Sequence, residues 1–339
     1  EFFEYVCGFS EEVPSGCNKD MLDKMRTEFK HWYPMNLRVS GKDLIRNHLT
    51  MALLNHAAIF EDPKMWPTGY FCNGHVMVDN EKMSKSKGNF LILGDSCKEF
   101  SSDAVRYGCA DAGDTLEDSN FSRETVKQGI MRLYNFEQWA SEVVEDKEGL
   151  LRTGEKTFID QAFENEIASL VDGAHKAYEA MQFKDALRCS WYELSNLRDD
   201  YRTLTEGSMH KDLIMYYLEV QALVFSPICP HFSEHLWTNI LKKDTLVVKS
   251  AWPAAKPVDQ VLSGKWKNLL ASMRQFRLDF QKALGKKKDQ PKPTHAVIYV
   301  AKEYQQTYKL YVLGHLNDQE IMVFDYSSTS LYFDHLSNV

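Results

Sequence analysis

Lys82-Met83-Ser84-Lys85-Ser86, extended by Lys87-Gly88-Asn89, sets two lysines three apart among small hydroxyl residues and ahead of a Gly-Asn pair. Lysine ammonium groups act as compact point charges, while serine hydroxyls and backbone N–H groups are directed donors. A strip of this composition can close over a polyphosphate and stabilise oxygens that gain negative charge in a transition state. The chemistry it suits is nucleotidyl transfer. A bare K-x-x-K is usually a solvated Lys/Ser turn. The five-letter run is more restrictive, since on equal residue frequencies a chain of this length produces it by chance about once in ten thousand trials.

The segments around this loop supply elements that could position it. Asn36–Ser40 predicts a short strand, Gly41-Lys42-Asp43 a turn, and about Leu44 to Phe60 a helix with Leu44, Ile45, Leu49, Leu53 and Ile59 at helical spacing. In doubly wound sheets ligands lie beyond the carboxyl ends of the strands, so Gly41 would let backbone approach a nucleotide and Asp43 would face its ribose. Asp43 has an equally good reading as a helix N-cap. Tyr70–Asp79 predicts a second strand region, with Val76, Met77 and Val78 as its apolar run, leading directly into the lysine loop. Its last backbone groups would lie against an adenine edge. His75 directly precedes the apolar run, and a single histidine is more often an ordinary surface or core residue.

Beyond the loop, Asp95–Cys109 has helical spacing, and Asp111, Asp114, Glu117 and Asp118 crowd a short stretch. That stretch lacks the spacing and central glycine of a calcium loop and reads as a polar connector. From about Arg123 to Leu284 the pattern is helical: Glu124–Glu145, Thr157–Met181, Phe183–Thr205, Lys211–Phe225 and Pro230–Leu241. Pro227 stops one helix and Pro230 fits the first turn of the next. His231, Glu234 and His235 invite a metal reading, since their mixed i+1, i+3 and i+4 spacings could bring ligands together. Arg188, Arg198 and Arg202 alternate with Asp185, Glu193, Asp199 and Asp200, as on a charge-laced solvated face. Gly285–Pro293 is a basic, Gly/Pro-bounded linker, and His295–Val300 after it alternates like a strand.

Composition bounds the alternatives. The 339 residues, 44% apolar and 26% charged, suit a soluble intracellular protein of two or three units. No apolar run is long enough to span a bilayer, and Glu1-Phe2-Phe3-Glu4 lacks the basic start of a signal peptide. Seven cysteines without a C-x-x-C pair indicate neither a disulfide framework nor a zinc site. A net charge of −8 argues against a generally basic nucleic-acid binder, so RNA contacts would come from local patches.

The pentapeptide is similar to the second signature of class I aminoacyl-tRNA synthetases. Its surroundings resemble the cytosolic leucyl-tRNA synthetases of eukaryotes and archaea from residue 1 to about residue 300: Tyr33-Pro34, Leu37 through Leu44, Asn73-Gly74-His75, Ser102 through Tyr107, Ala110 through Thr115, Pro230-His231 with Glu234 and Trp237, and Ser250 with Trp252-Pro253. The resemblance implies an α/β fold, the C-terminal half of a Rossmann-type catalytic domain with its lysine loop over 1–94, and a connector over 95–122. An all-α anticodon-binding-type bundle over 123–284 and the start of a further domain over 285–339 would follow, with no family pattern from about Glu303 onward. The implied function is that of a leucine–tRNA ligase, using ATP to make leucyl-adenylate and passing leucine to tRNA(Leu).

In that family Lys82, Ser84, Lys85 and Ser86 would form the catalytic loop, with Lys85 on ATP directly. Gly41 and Asp43 would contact adenosine, and His75, Val76 and Met77 would lie beside the adenine. Mg²⁺ would come with the ATP, and no residue here is named as a metal ligand. The partners implied are tRNA(Leu), leucine and ATP in the cytosol, away from membranes, with assembly alongside other synthetases left open. The family's His-x-Gly-His signature and editing domain are not present in this sequence, so the chain alone is expected to be inactive. The alternatives are a portion of an isoleucyl, valyl or methionyl enzyme, or a non-catalytic tRNA-binding module.

Overall fold

The structure, a computed structural model, describes residues 1–83, 88, 90–146, 149–254 and 256–284. Ser84, Lys85, Ser86, Lys87 and Asn89, the basic linker, the strand expected over His295–Val300 and the remaining C-terminal segment lie outside the described residues.

Described residues fall into two compact units, each assembled from separate stretches of chain. The first draws on Glu1–Glu148, Leu170–Leu194 and Met215–Ala254, the second on Gly149–Ser169, Ser195–Ile214 and the residues after Ala254. The first unit opens with helices α1 (Phe2–Cys7) and α2 (Lys19–Trp32), the latter N-capped by Asn18, whose side chain accepts from the Met21 N–H. Strand β1 (Arg38–Gly41) then pairs in parallel with β2 (Tyr70–Asn73), as a strand-helix-strand crossover requires.

The crossover differs from the single helix expected over about Leu44–Phe60. It starts as a 3₁₀ turn (Lys42–Leu44), passes through a π turn (Ile45–Leu49) and becomes helix α3 only over Thr50–Ile59. The Thr50 hydroxyl donates to the Ile45 carbonyl at 2.6 Å, helping to hold the wide turn. Of the apolar residues expected to face a core, Leu49 is buried, whereas Ile45, Leu53 and Ile59 are exposed. A two-stranded sheet offers too little surface to cover them.

The predicted second strand breaks in two. After β2 comes the Gly74-His75 corner, then β3 (Val76–Val78), which pairs antiparallel with β4 (Glu81–Lys82) and parallel with β5 (Ser119–Phe121). Helices α4 (Leu93–Phe100) and α5 (Ser102–Ala112) connect β4 to β5, burying Phe100, Ala104, Val105, Phe121 and Val126 together.

Helix α5 lies within the connector expected over 95–122, mostly in the stretch Asp95–Cys109 whose spacing is helical. Its Arg106 donates to the carbonyls of Ile228 (2.8 Å) and Pro227 (2.6 Å), where helix α10 (Lys211–Phe225) gives way to α11 (Pro230–His235). Asp103 accepts from the Phe232 N–H at 2.6 Å, satisfying an otherwise orphaned donor in the first turn of α11. Helix α6 (Arg123–Glu145) packs closely on α5: a side chain at Gly108 would come within 2.4 Å of Val126. An aromatic core follows, with Trp191 stacked on Phe225 (4.6 Å between centroids), Phe232 against both, and Phe136 against Trp191 and Phe232. Trp252 packs on Tyr178 and His175.

Helix α7 covers Phe158–Glu179. The next predicted helix, Phe183–Thr205, is α8 (Phe183–Leu187), a π turn (Arg188–Glu193) and α9 (Leu194–Leu204). In the second unit Asp160, fully buried, accepts from Arg152, from Tyr201 and from the backbone and hydroxyl of Thr157. Burial alone would raise its carboxyl, but these donors together outweigh that and hold it at about 2. Helix α12 (Gln260–Leu284) joins this unit through Asn165, which donates to the Ser263 hydroxyl at 2.9 Å.

Candidate nucleotide site

Strands β1 and β2 end side by side, Gly41 opposite Asn73, so their carboxyl ends deliver Lys42-Asp43 and Gly74-His75 to one edge. Gly41 has an ordinary extended backbone, and its need for glycine is spatial: an added Cβ would sit 2.7 Å from Asp43 Oδ1. The Asp43 carboxylate folds back over Gly41. It lies inside the 3₁₀ turn instead of capping it, because the N-cap position is Gly41 and no side chain caps there. An exposed carboxylate at a strand end is an acceptor that a ribose diol could fill.

Asp118 fastens this edge from the opposite side. Its Oδ1 accepts from Lys42 Nζ at 2.7 Å and from the His75 backbone N–H at 2.9 Å, with His75 Nδ1 at 3.2 Å. Lys42 also donates to the Leu116 carbonyl at 3.1 Å. Gly74 N–H reaches the Thr115 carbonyl and Ser119 N–H the His75 carbonyl, so the 115–119 segment is laced to the corner.

The Lys42 ammonium, and after it the His75 backbone N–H, hold the Asp118 carboxyl at about 2. With a folded value below the unfolded one, its contribution to stability is complete above about pH 4 and is lost as pH falls towards 2. The denaturant midpoint of Asp118→Asn is therefore expected to lie below that of the parent chain at pH 6, with the gap closing between pH 4 and 2. A gap independent of pH would remove the ion pair from the account.

The stem of the lysine loop is a hairpin. Asp79 (φ 50°) and Asn80 (φ 66°) occupy the left-handed region at the turn between β3 and β4, where short side chains that bond their own backbone are tolerated. The turn is tied down at three places. Asp79 N–H donates to the Phe121 carbonyl (3.0 Å), Asn80 N–H to Asn120 Oδ1 (2.6 Å), and Arg123 gives its backbone N–H (3.0 Å) and guanidinium (2.5 Å) to the Asp79 carboxylate. The Arg123 bonds lower the Asp79 carboxyl, the backbone donor contributing most.

Lys82 sits on β4 opposite Met77 and is exposed. Because β4 pairs only with Met77 and Val78, the backbone of Val76 has no strand partner on that side among the described residues. That open edge is where a flat heterocycle could dock. Gly41, Asp43, His75, Val76, Met77 and Lys82 thus belong to one continuous corner, while Ser84, Lys85 and Ser86 lie outside the described residues.

Two other acidic residues of the connector, Asp111 and Asp114, are structural fasteners. Asp111 accepts from the Tyr192 hydroxyl (2.9 Å), which itself accepts from Tyr107 (2.6 Å); Asp114 accepts from the N–H groups of Phe183 and Lys184 at the start of α8. Glu234 accepts from the Val247 N–H and His235 contacts Glu137 and Asn239, each engaged in bundle packing. Among the described residues no group of three His, Cys, Asp or Glu side chains could hold a metal ion. All seven cysteines are free. Arg188 pairs with Asp185 and Glu193, and Arg198 and Arg202 with Asp199, so a phosphate reaching them would compete with carboxylates already in place.

Sequence reasoning missed Lys42, Gly74, Asp118 and Arg123. Asp118 was visible only as one of four acids, and its partners lie 76 and 43 positions away. Gly74 signalled itself as a glycine at the end of a strand run, a pattern that marks close backbone approach.

Residues 8–136 match the family model described as tRNA synthetases class I (M), and residues 160–296 match the anticodon-binding domain of tRNA ligase. The chain is 42% identical over 315 residues to the cytoplasmic leucine–tRNA ligase of Pongo abelii, a match spanning 90% of this chain and 26% of that protein. It is 39% identical to the cytoplasmic leucine–tRNA ligase of Saccharomyces cerevisiae, spanning 90% of this chain and 28% of that one. The leucine–tRNA ligase of Aeropyrum pernix is 35% identical over 75% of this chain and 26% of its own length.

The chain therefore spans about a quarter of the length of the curated relatives it matches. Among solved structures, the LeuRS–tRNA–LeuAMS ternary complex of Agrobacterium radiobacter aligns with a TM-score of 0.54 at 17% identity, covering 77% of this chain and 33% of that one. Methionyl-tRNA synthetase of Mycobacterium tuberculosis bound by methionyl-adenylate aligns at 0.53 and 21% identity, covering 61% and 44%. At these identities the likeness is one of fold: a Rossmann-like portion followed by helices.

Proposed function

We propose, starting from a chain that belongs with the class I aminoacyl-tRNA synthetases and is homologous to part of the cytoplasmic leucine–tRNA ligases, that it supplies the lysine-loop side of an ATP site and the tRNA-binding helices of such a ligase. The observation that carries the reading is the single corner at the ends of β1, β2 and β3, where an exposed carboxylate, an open backbone edge and the stem of a cationic loop meet.

In the proposed reaction the leucine carboxylate attacks the α-phosphorus of ATP and pyrophosphate leaves; a terminal ribose hydroxyl of tRNA(Leu) then attacks the carbonyl carbon of leucyl-adenylate and AMP leaves. No protein nucleophile is needed, so the residues act by placement and charge. Asp43 accepts from the ribose, Gly41 allows the close approach, and His75, Val76 and Met77 border the adenine. Lys82 and Lys85 neutralise the β- and γ-phosphates as charge builds on the leaving pyrophosphate, with Ser84 and Ser86 donating beside them. Mg²⁺ belongs to the substrate, carried on the ATP phosphates. The functional division proposed is catalytic over 1–94, connecting over 95–122, tRNA-binding over 123–284 and linker beyond. The place of action is the cytosol, where the relatives are named. No described helix is long and apolar enough to cross a membrane.

Leucine-dependent ATP–pyrophosphate exchange, measured on this chain alone and with the N-terminal half of a homologous leucine enzyme added, tests the reading. Exchange is expected only on addition. Failure in both arms, with tRNA still bound in a steeply salt-dependent manner, would instead support an RNA-binding module.

A further inference from the structure

The contact between His75 and Asp118 restricts the chemistry of the imidazole. Asp118 Oδ1 already accepts from Lys42 Nζ and the His75 backbone N–H, and His75 Nδ1 lies 3.2 Å from the same oxygen. A carboxylate has no proton to give, so a hydrogen bond there requires the proton on Nδ1. In the neutral ring Nε2 is then an acceptor, and it has no partner among the described residues. The imidazole is 38% exposed, next to the corner where the open Val76 edge begins.

We propose that Asp118 is a positioning residue that fixes the Nδ1–H tautomer of His75, so that Nε2 accepts a hydrogen bond from a donor on a bound adenine nucleoside, either the exocyclic amine or a ribose hydroxyl. The inference rests on the ATP-site reading above. Lys42 has a supporting part: its ammonium holds Asp118 in the ionised, acceptor-only form. The arrangement is the one by which a carboxylate orients a histidine elsewhere in protein chemistry, where the bond made by one ring nitrogen decides what the other can do.

The test is the imidazole nitrogen spectrum of the ¹⁵N-labelled chain at pH 8, with the His75 signals identified by their loss in His75→Gln. Protonated Nδ1 and unprotonated Nε2 are expected. A parent chain with the proton on Nε2 overturns the proposal without further variants. Asp118→Ala is expected to shift the proton towards Nε2, whereas Lys42→Met, which leaves the carboxylate, should keep it on Nδ1. An Asp118→Ala chain that retains its Nδ1 proton would show the carboxylate to be irrelevant.

Adenosine is then titrated in. The Nε2 signal should move, and Asp118→Ala should weaken binding about 2- to 10-fold, the worth of one hydrogen bond. Inosine tests the amine, and 2′- and 3′-deoxyadenosine test the hydroxyls; the analogue that binds without moving Nε2 identifies the donor. Adenosine binding that leaves Nε2 unchanged would overturn the acceptor role alone. If no resonance of the chain responds to adenosine, the acceptor role and the ATP-site reading both fail in this chain, while the tautomer result stands separately.

Discussion

Gly74→Ala is expected to destabilise the first unit by about 3 kcal/mol, the upper end of the usual overpacking cost, and to abolish nucleotide binding at the corner. The added Cβ would lie 1.9 Å from the Glu117 carbonyl oxygen, 2.4 Å from its carbon and 2.8 Å from the Asp118 nitrogen. These are backbone atoms, so no rotamer change relieves the overlap. One of the two strands of chain must retreat, yet Gly74 N–H is bonded to the Thr115 carbonyl and the β3–β5 register begins directly after, at Val76 opposite Ser119. Retreat would draw Asp118 away from Lys42 and His75 as well. Gly94→Ala is the control: nothing lies within 4 Å of its would-be Cβ, and in the first turn of α4 alanine should be neutral or stabilising by up to about 1 kcal/mol. Urea midpoints of the two variants decide it. Equal stability would mean that the close approach at Gly74 is not a constraint on the folded chain.

Contrasts of this kind show which parts of the molecule a sequence can reveal. Lys211–Phe225 has the same bounds in the sequence reading and in the structure, because an uninterrupted apolar stripe between a polar start and a proline fixes both ends locally. The Pro230 helix start was equally local. The crossover after β1 was not: Leu53 and Ile59 have helical spacing, but spacing cannot say how much surface exists to cover them, and they are exposed. The π turns at Ile45–Leu49, Arg188–Glu193 and Leu236–Ile240 leave the apolar period nearly intact, which hides them from a pattern reading.

At the site, the residue types of the lysine loop and the Gly41 and Asp43 turn were legible because their chemistry is written in short strings. The fastening was not. Asp118 reaches Lys42 and His75, and Arg123 reaches Asp79, across 43 to 76 positions, and such pairings exist only once β3 and β5 have come together. The resemblance to leucyl-tRNA synthetases was read from short strings, and the relatives at 39–42% identity, of which the chain spans about a quarter, carry the name leucine–tRNA ligase.

Lys85→Ala, placed in an enzyme completed by its N-terminal half, is expected to lower leucine-dependent ATP–pyrophosphate exchange by about 10²–10³, the cost of removing one preorganised donor from a developing charge. The loss should fall on kcat. An ammonium that meets the phosphates most strongly as pyrophosphate departs contributes little to ground-state binding, so KM for leucine should hardly change. The stem predicts a second, smaller effect that separates chemistry from placement. Arg123→Ala removes the guanidinium from Asp79 but leaves the Asp79 N–H bond to Phe121 and the Asn80 bond to Asn120, so the hairpin keeps its register. An ion pair this exposed contributes at most about 1 kcal/mol, which corresponds to less than a tenfold loss of exchange. The ordering is the informative result. If Arg123→Ala were as damaging as Lys85→Ala, loop placement by the hairpin would limit the rate. If Lys85→Ala retained parent exchange, the assignment of the phosphate-facing charge to this lysine would be wrong, and Lys82, held opposite Met77 on β4, would be the group left to supply it.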